Sequence, residues 1–377
     1  MRIESIEAIP IAYPEPNDHD AVRHLCLVRI RADDGQVGWG EAVTMWPEAS
    51  WATKAIVDGM APLLIGRAPV DNDSLWRSLK EHAWWYGVGG IASFAIAALD
   101  IAIWDLKGKA LGVSVLALLG GPSTDRLPAI VSCHASQAGI SALVEEMAGW
   151  VSGGLHGIKV GFGKRGEARL GYEHARDIAF VAALRQALGP DKQIMIDIGN
   201  AVRWDTGTAI KRVRAMEAYD IAWIEEPLGA DHPAGYAALR ARTATRIAYG
   251  EREWTAAGYR RIVQTGTVDV VGVDPGRAEG ITGFLRVCTD VEAAHVQANA
   301  HAWSSAIVTA ASLAISFSTP ICRQFEVKPL RNPAQHDLVA TPFEPVDGWM
   351  LPPTGAGLGI EVREEVVARY RCTLAGP

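Results

Sequence analysis

One stretch of the sequence shows the repeating unit that decides the fold: residues 193–227, QIMIDIGNAVRWDTGTAIKRVRAMEAYDIAWIEEP. It begins with a short apolar run that contains Asp197, continues through a helical pattern, and closes with a second apolar run that reaches Glu225. Short apolar runs separated by helical segments are typical of βαβ units with parallel strands. The stretch therefore predicts two neighbouring parallel strands, each with a carboxylate near its carboxyl end.

The same alternation extends from residue 126 to residue 330. The apolar runs that we predict as strands are Pro128–Cys133, Gly157–Val160, Gln193–Ile198, Ile221–Glu225, Ile247–Tyr249, Val268–Val273, Ala294–Ala298 and Ile321–Val327. Eight such repeats in a segment of about 200 residues favour a closed barrel over a doubly wound sheet. No GxGxxG motif follows the first strand, which argues against a dinucleotide-binding fold. The predicted fold class is α/β, with a barrel of the TIM type.

The residues before the barrel predict a smaller α+β region. Three segments alternate like strands, and three others carry helical patterns: residues 2–13, 23–32 and 36–43, then residues 48–64, 71–82 and 92–111. The last helix is apolar on most sides, so we expect it to be buried. The polar stretch 14–20 has no periodicity and predicts a mobile loop.

Composition excludes several classes of protein. The chain has 36 Lys plus Arg and 43 Asp plus Glu, a net charge of −7, which argues against a nucleic-acid binder that acts through bulk charge. No run of about 18 apolar residues lacks charge, so we expect no membrane span. There is no signal-peptide apolar run, and five scattered cysteines without a CxxC pair fit a cytoplasmic protein.

Acidic side chains lie at the ends of three consecutive predicted strands, where barrels of this type carry their active sites. Asp197, Glu225 and Glu251, called here the acidic triad, offer only oxygen ligands and predict a site for a hard divalent cation, Mg²⁺ first. Without a cation the three charges would repel one another. The alternative is that each carboxylate caps a helix or pairs with an arginine, which suits one such residue better than an ordered series.

A histidine and an acid follow the next two strands. His301 comes after the seventh strand and Asp274 after the sixth, so we expect them to be neighbours. A carboxylate bonded to one imidazole nitrogen fixes the tautomer and makes the other nitrogen more basic. His301 and Asp274, called here the dyad, therefore predict a general base. The alternative is a core histidine with its hydrogen bonds satisfied.

These motifs resemble the mandelate racemase subgroup of the enolase superfamily over nearly the whole chain. The helix AIAALDIAIWDLKGK, residues 95–109, is similar to the signature helix of the family. The resemblance implies a modified TIM barrel, (β/α)₇β, in residues 126–330, and an α+β capping domain in residues 1–125. It also implies a C-terminal segment, residues 331–377, that returns to the cap.

The resemblance also implies a role for each strand-end residue. The acidic triad matches the ligands of Mg²⁺, and the dyad matches the base of the family. Lys159 and Glu326, on the second and eighth strands, match groups that contact the substrate carboxylate. The partner implied is a small-molecule carboxylate, a sugar acid, and the family commonly forms homo-oligomers.

Two departures from the family pattern bear on the reaction. The usual Lys-x-Lys of the second strand reads Lys159-Val160-Gly161 here, so the base opposite the histidine is replaced by empty space. The usual Asp-x-Asn of the third strand has Gly199 in place of Asn, followed by Asn200. Racemisation needs bases on both faces of the substrate, whereas elimination of water needs one base and one acid. The sequence therefore favours dehydration of an aldonate or aldarate to a 2-keto-3-deoxy acid.

Substrate choice is expected to depend on the cap. The candidates for substrate contact are His19, Trp46, Tyr86 with its neighbours Trp84 and Trp85, and Asn200. Flat aromatic faces suit a sugar, although such side chains also serve simply to pack two domains together. Lys164 and Arg165, after the second strand, are expected to be solvated loop charges rather than ligands of a distal carboxylate.

Two other functions stay open at this point. A cycloisomerase or epimerase of a sugar acid or its lactone would use the same proton abstraction, with another residue in place of the missing lysine. A barrel that has lost its chemistry and serves as a scaffold is supported by Gly161 and opposed by the retained triad and dyad.

Overall fold

In the computed structural model, which describes residues 1–199 and 201–373, the strands form a small antiparallel sheet and a larger parallel one. The strands are β1 Ile3–Glu15, β2 Ala21–Ala32, β3 Val37–Met45, β4 Leu127–His134, β5 Gly157–Phe162, β6 Gln193–Ile198, β7 Trp223–Glu225, β8 Ile247–Tyr249, β9 Val270–Val273, β10 Gln297–Ala300, β11 Phe325–Val327 and β12 Trp349–Met350. The helices are α1 Pro47–Met60, α2 Asn72–Ala83, α3 Ile91–Leu111, α4 Val115–Leu118, α5 Ile140–Val151, α6 His174–Leu188, α7 Thr206–Met216, α8 Pro233–Arg240, α9 Ala256–Gln264, α10 Gly280–Ala293, α11 Ala306–Ser318 and α12 Glu364–Tyr370.

The parallel sheet is the predicted barrel. Strands β4 to β10 pair in chain order, and β11 pairs with β4, which places the last strand beside the first. An isolated bridge between Ala298 in β10 and Cys322 just before β11 joins the remaining edge. A helix follows each strand from β4 to β10, as the right-handed crossover of parallel strands requires. The modified TIM barrel is therefore confirmed.

Side chains inside the barrel form a floor beneath the strand ends. Met195 in β6 and Trp223 in β7 are buried at 0% and 1% exposure and pack with residues of β4, β8 and β9. Because alternate residues of a strand point to the same side, Asp197 and Glu225 lie one layer above them. The apolar floor thus lies beneath the polar groups of the carboxyl-terminal mouth.

The antiparallel sheet β1–β2–β3 forms the cap together with the buried helix α3. At Gly40 in β3, an added Cβ would lie 1.9 Å from the carbonyl oxygen of Ala98, so only glycine permits this approach of strand and helix. Asp100 of α3 accepts hydrogen bonds from the backbone N–H and hydroxyl of Thr282 at the start of α10. The signature helix therefore packs on the cap sheet and also binds the barrel.

Residues 14–20 differ from the prediction of a mobile loop. β1 continues to Glu15, and a short turn, Pro16–Asp18, follows it. Asn17 exchanges two hydrogen bonds of 2.8 Å with the backbone of Leu330, and Asp18 Oδ1 lies 3.1 Å from His134 Nδ1. These partners are 313 and 116 positions away in the chain, so the local pattern did not reveal them.

The C-terminal segment contacts first the barrel and then the cap. β12 pairs with β4, and the backbone N–H of Leu358 donates to Asp105 of α3. Arg371 forms an isolated bridge with Ile11 of β1. None of the helices in residues 1–199 and 201–373 has both the length and the apolar character needed to cross a bilayer.

Candidate active site

The acidic triad lies at the mouth of the barrel because its members end or follow neighbouring strands. Asp197 and Glu225 are register partners on β6 and β7, so their side chains leave adjacent strands at the same height. Glu251 follows β8 by two residues. The charges of Asp197 and Glu251 act to raise the pKa of Glu225, and the charge of Glu251 acts to raise that of Asp197.

Lys159 joins two of the predicted carboxylates at the centre of the mouth. Its Nζ lies 3.0 Å from Glu225 Oε2 and 2.9 Å from Glu326 Oε2, and the side chain is only 4% exposed. Burial alone would lower the pKa of Lys159, but these two carboxylates raise it well above its ordinary value. Asn299 of β10, which sequence reasoning did not single out, donates to Glu326 Oε1 at 2.7 Å.

The negative charge of the triad is unevenly compensated. Burial, followed by the charges of Asp197 and Glu326, raises the pKa of Glu225 to about 7 against the opposing effect of Lys159. The pKa of Asp197 is lowered despite burial because Lys164 and Lys159 are close. Excess negative charge in a buried cluster of this kind favours an additional cation.

The triad fits Mg²⁺ in its donor chemistry. Its three carboxylates are hard oxygen donors on consecutive strand ends, the ligand type that Mg²⁺ prefers. Among residues 1–199 and 201–373, no three His, Cys, Asp or Glu side chains are already arranged around one ion position. Each carboxylate has a basic neighbour instead: Asp197 has Lys164, Glu225 has Lys159, and Glu251 has His301. To hold a cation, the carboxylates would have to turn from these neighbours toward one another.

The dyad is formed as the strand order predicts. His301 Nδ1 lies 2.7 Å from Asp274 Oδ2, and His301 Nε2 lies 3.5 Å from Glu251 Oε2. Asp274 is held by the backbone N–H of Gly276 at 2.8 Å. Burial alone would lower the pKa of His301, but the hydrogen bond to Asp274 and the charge of Glu251 raise it. With Nδ1 donating to Asp274, Nε2 is the nitrogen that faces the triad.

Arg277 is a second site residue that sequence reasoning missed. Its Nη1 donates to the backbone oxygen of Glu251 at 3.0 Å, and its Nε lies 3.9 Å from Asp274 Oδ2. Despite burial, the pKa of Glu251 is lowered, chiefly by His301 and then by Arg277. The Pro275-Gly276-Arg277 sequence after β9 was the available signal, because the turn returns the guanidinium to the strand end.

The space over Gly161 is filled, which corrects the expectation that it is empty. A Cβ added at Gly161 would lie 2.6 Å from Cγ and 2.7 Å from Cε of Lys164. The Lys164 side chain therefore lies over Gly161, and its Nζ reaches to 2.9 Å from Asp197 Oδ2. The expectation that Lys164 is a solvated loop charge was wrong, because Gly163, with φ 66°, turns the chain directly after β5 and brings Lys164 back over Gly161.

The cap contributes an acid to the barrel mouth through the turn after β1. Asp18 binds His134 Nδ1 at 3.1 Å, and the His134 ring stacks on Trp303 with 4.7 Å between centroids. The guanidinium of Arg23, in β2, also lies over the Trp303 ring, 4.4 Å from its centroid. Sequence reasoning missed His134, although it stands at the carboxyl end of the first barrel strand, as the other site residues do on theirs.

The predicted substrate contacts in the cap are not joined to this cluster by any bond found among the described residues. Trp46 and Tyr86 are 57% and 51% exposed. His19 is exposed and lies against Gly166 in the loop after β5, where an added Cβ would be 2.7 Å from its Cε1. Asn200 lies outside the described residues. The roles of these four residues stay predictions.

The family models that match the sequence cover most of the chain. A model described as enolase C-terminal domain-like matches residues 142–366, and the N-terminal domain of the mandelate racemase / muconate lactonizing enzyme family matches residues 19–120. The first match includes the acidic triad, the dyad and Lys159, and the second includes the signature helix.

Several named proteins are similar to the chain over nearly its whole length. D-galactarolactone cycloisomerase of Agrobacterium fabrum is 28% identical, over 92% of this chain and 90% of its own. D-galactonate dehydratase of Ralstonia nicotianae is 30% identical, over 90% of this chain and 89% of its own. The crystal structure of 3,6-anhydro-D-galactonate cycloisomerase from Zobellia galactanivorans has a TM-score of 0.89 at 28% identity, and covers 99% of this chain and 100% of that one.

Proposed function

The chain belongs to the mandelate racemase subgroup of the enolase superfamily, and from that membership we propose that it is a Mg²⁺-dependent dehydratase of an acid sugar. The substrate is an aldonate or aldarate, and the product is the corresponding 2-keto-3-deoxy acid. The similar proteins named for D-galactonate dehydratase and D-galactarolactone cycloisomerase support sugar-acid chemistry of this general kind.

The dyad is the observation that carries the proposal. Asp274 holds His301 Nδ1 at 2.7 Å, which leaves Nε2 directed at the triad, where a bound carboxylate substrate would lie. A base in that position reaches the hydrogen on the carbon next to the carboxylate. Enolase-superfamily sites combine such a Lys or His base with one or two Mg²⁺ ions.

The residues divide the work of elimination. His301 takes the proton from the α-carbon, and negative charge develops on the carboxylate oxygens near Lys159. Mg²⁺ held by the triad would supply the remaining positive charge against those oxygens. The bond from the β-carbon to its hydroxyl then breaks, and His301 returns the proton to the departing oxygen in a syn elimination. Water leaves, and the enol that remains becomes the 2-keto acid.

A cycloisomerase is the second candidate, and the similarity to two cycloisomerases favours it specifically. It would share the proton abstraction by His301 and differ in the group that leaves the β-carbon. The product then keeps every oxygen of the substrate, whereas dehydration removes one as water.

A screen of aldonates, aldarates and their lactones with added Mg²⁺ tests the proposal. We expect proton NMR in D₂O to show a 2-keto-3-deoxy product from at least one acid. A product that keeps all its oxygens would instead support the cycloisomerase. If no acid reacts or exchanges its α-proton, and Mg²⁺ does not bind, the scaffold function is supported.

A further inference from the structure

Two glycines at the ends of β5 and β6 form a channel for the side chain of Lys164. A Cβ added at Gly161 would lie 2.6 Å from Lys164 Cγ, and one added at Gly199 would lie 3.0 Å from Lys164 Cδ. The lysine stem therefore passes between the two strands, in contact with both glycines. These are the same two positions at which the sequence departs from the family pattern, so one side chain accounts for both departures.

The ammonium of Lys164 reaches the mouth on the side away from the dyad. Its Nζ lies 2.9 Å from Asp197 Oδ2, and the side chain is 23% exposed. In the strand order of the barrel, β5 is separated from β10 by β4 and β11 on one side and by β6 to β9 on the other. Lys164 and His301 therefore approach the mouth from opposite sides.

The two lysines of the mouth, Lys159 and Lys164, differ in exposure and in the number of carboxylates that they contact. Lys159 is 4% exposed and lies within 3.0 Å of two carboxylates, Glu225 and Glu326. Lys164 is more exposed, and among the described residues only the carboxylate of Asp197 lies within that distance of its Nζ. Because Asp197 belongs to the triad, holding Mg²⁺ would draw its oxygens away from Lys164. The ammonium then has hydrogen-bond donors to offer a ligand on that side.

We propose that Lys164, held in the channel between Gly161 and Gly199, is a substrate-positioning residue that binds an oxygen of the acid sugar on the side opposite His301. The inference rests on the proposed function and deepens it. The site has a base, His301, on one side of the substrate and a positive charge, Lys164, on the other. The proposed role explains why that charge is present although it is not a second base. The charge holds the substrate against the dyad and takes no part in removing the α-proton.

A double-mutant cycle between the lysine and its glycine tests the placement. Lys164→Met removes the ammonium, and Gly161→Ala keeps it but adds a methyl group where the stem lies. We expect each variant to raise KM about tenfold or more with a smaller change in kcat, because a positioning charge acts in the bound substrate as well as in the transition state. The double variant should be no worse than Lys164→Met alone, since both changes remove one interaction.

Matched controls separate this effect from general damage. Lys211→Met changes an exposed lysine of α7, and Gly149→Ala adds a methyl group in α5 where no atom lies within 4 Å. Both should keep the wild-type KM. Lys164→Arg keeps the charge and should recover at least part of the loss. A Gly161→Ala enzyme with wild-type kinetics, or losses that multiply in the double variant, would overturn the proposal.

Calorimetric titration with Mg²⁺ alone tests the same contact without any substrate. Lys164→Met and Gly161→Ala should each bind Mg²⁺ about tenfold more tightly than the wild-type protein, because the ammonium no longer competes for Asp197. Unchanged affinity in both variants would show that Lys164 does not lie at Asp197 in solution, which also overturns the proposal. If no sugar acid reacts with the wild-type enzyme, the proposed function fails, and this titration still reports on the placement of Lys164.

Discussion

At the scale of single residues, His301 is the side chain on which the proposed reaction depends most directly. Its Nδ1 is held by Asp274 and its Nε2 lies 3.5 Å from Glu251. His301→Asn removes the imidazole whose Nε2 faces the triad. We therefore expect the variant to lose both dehydration and exchange of the substrate α-proton in D₂O, each by at least about a thousandfold.

The control for this variant is His295→Asn. His295 is exposed and has a left-handed backbone, φ 56°, which asparagine adopts readily. It should keep full activity. Exchange that persists in His301→Asn would identify another group as the base, since proton NMR follows exchange independently of the elimination step.

The residue scale also shows where sequence reasoning stopped. Asp197, Glu225 and His301 could be placed at one mouth because each follows an apolar run, and parallel strands bring their carboxyl ends together. The position of Lys164 could not be predicted, because it depends on the space over Gly161. The absence of a side chain at Gly161 does not indicate which residue occupies that space. His134 was missed because its partner, Asp18, comes from the cap.

At the scale of elements, the close contact of β3 with α3 sets the geometry of the cap. Gly40→Ala would put a methyl carbon 1.9 Å from the carbonyl oxygen of Ala98, and both atoms belong to rigid elements. We expect the variant to lose about 3 kcal/mol or more of unfolding free energy. Thermal or urea unfolding measures this directly.

Gly59→Ala in α1 is the matched control for Gly40→Ala. The added methyl group meets no atom within 4 Å, and alanine is the better helix former by about 0.5–1 kcal/mol. This variant should be as stable as the wild-type protein or slightly more stable. Equal destabilisation of the two variants would contradict the packing described for β3 and α3.

Element boundaries were predicted best where a long segment keeps one character from end to end. The helix predicted over residues 92–111 is observed as α3, Ile91–Leu111, because its apolar character is continuous. The strand predicted over residues 294–298 is observed as β10, Gln297–Ala300. The shift arises because the chain is still turning at His295, whose positive φ an apolar pattern does not encode.

At the scale of the whole molecule, a buried ion pair ties the cap to the barrel. Lys328, just after β11, lies 2.6 Å from Glu15 Oε2 at the end of β1, and both side chains are almost fully buried. Lys328→Met leaves the Glu15 carboxylate buried without its cation. We expect a loss of about 3–5 kcal/mol in unfolding free energy, measured by urea denaturation at constant m-value.

The exposed pair Lys54–Asp58 of α1 supplies the comparison for Lys328. Its two side chains are 31% and 50% exposed. Lys54→Met should therefore cost no more than about 1 kcal/mol. A Lys328→Met protein as stable as the Lys54→Met protein would mean that the cap is held on the barrel by other contacts, such as Asn17 with Leu330.

Metal binding is expected to stabilise the entire fold, because the triad spans three strands of the barrel. A ligand that binds only the folded state adds about 2.7 kcal/mol at a concentration one hundred times its Kd. For a chain of 377 residues we expect saturating Mg²⁺ to raise Tm by roughly 3–6 °C, and EDTA to reverse the rise.

Asp197→Asn should abolish the response, because one triad carboxylate becomes neutral. Asp205→Asn, which changes the exposed N-cap of α7 to an equally good cap, should keep it. If Mg²⁺ changes the Tm of neither the wild-type nor the Asp197→Asn protein, the metal has no part in the proposed reaction. That result would favour the scaffold function.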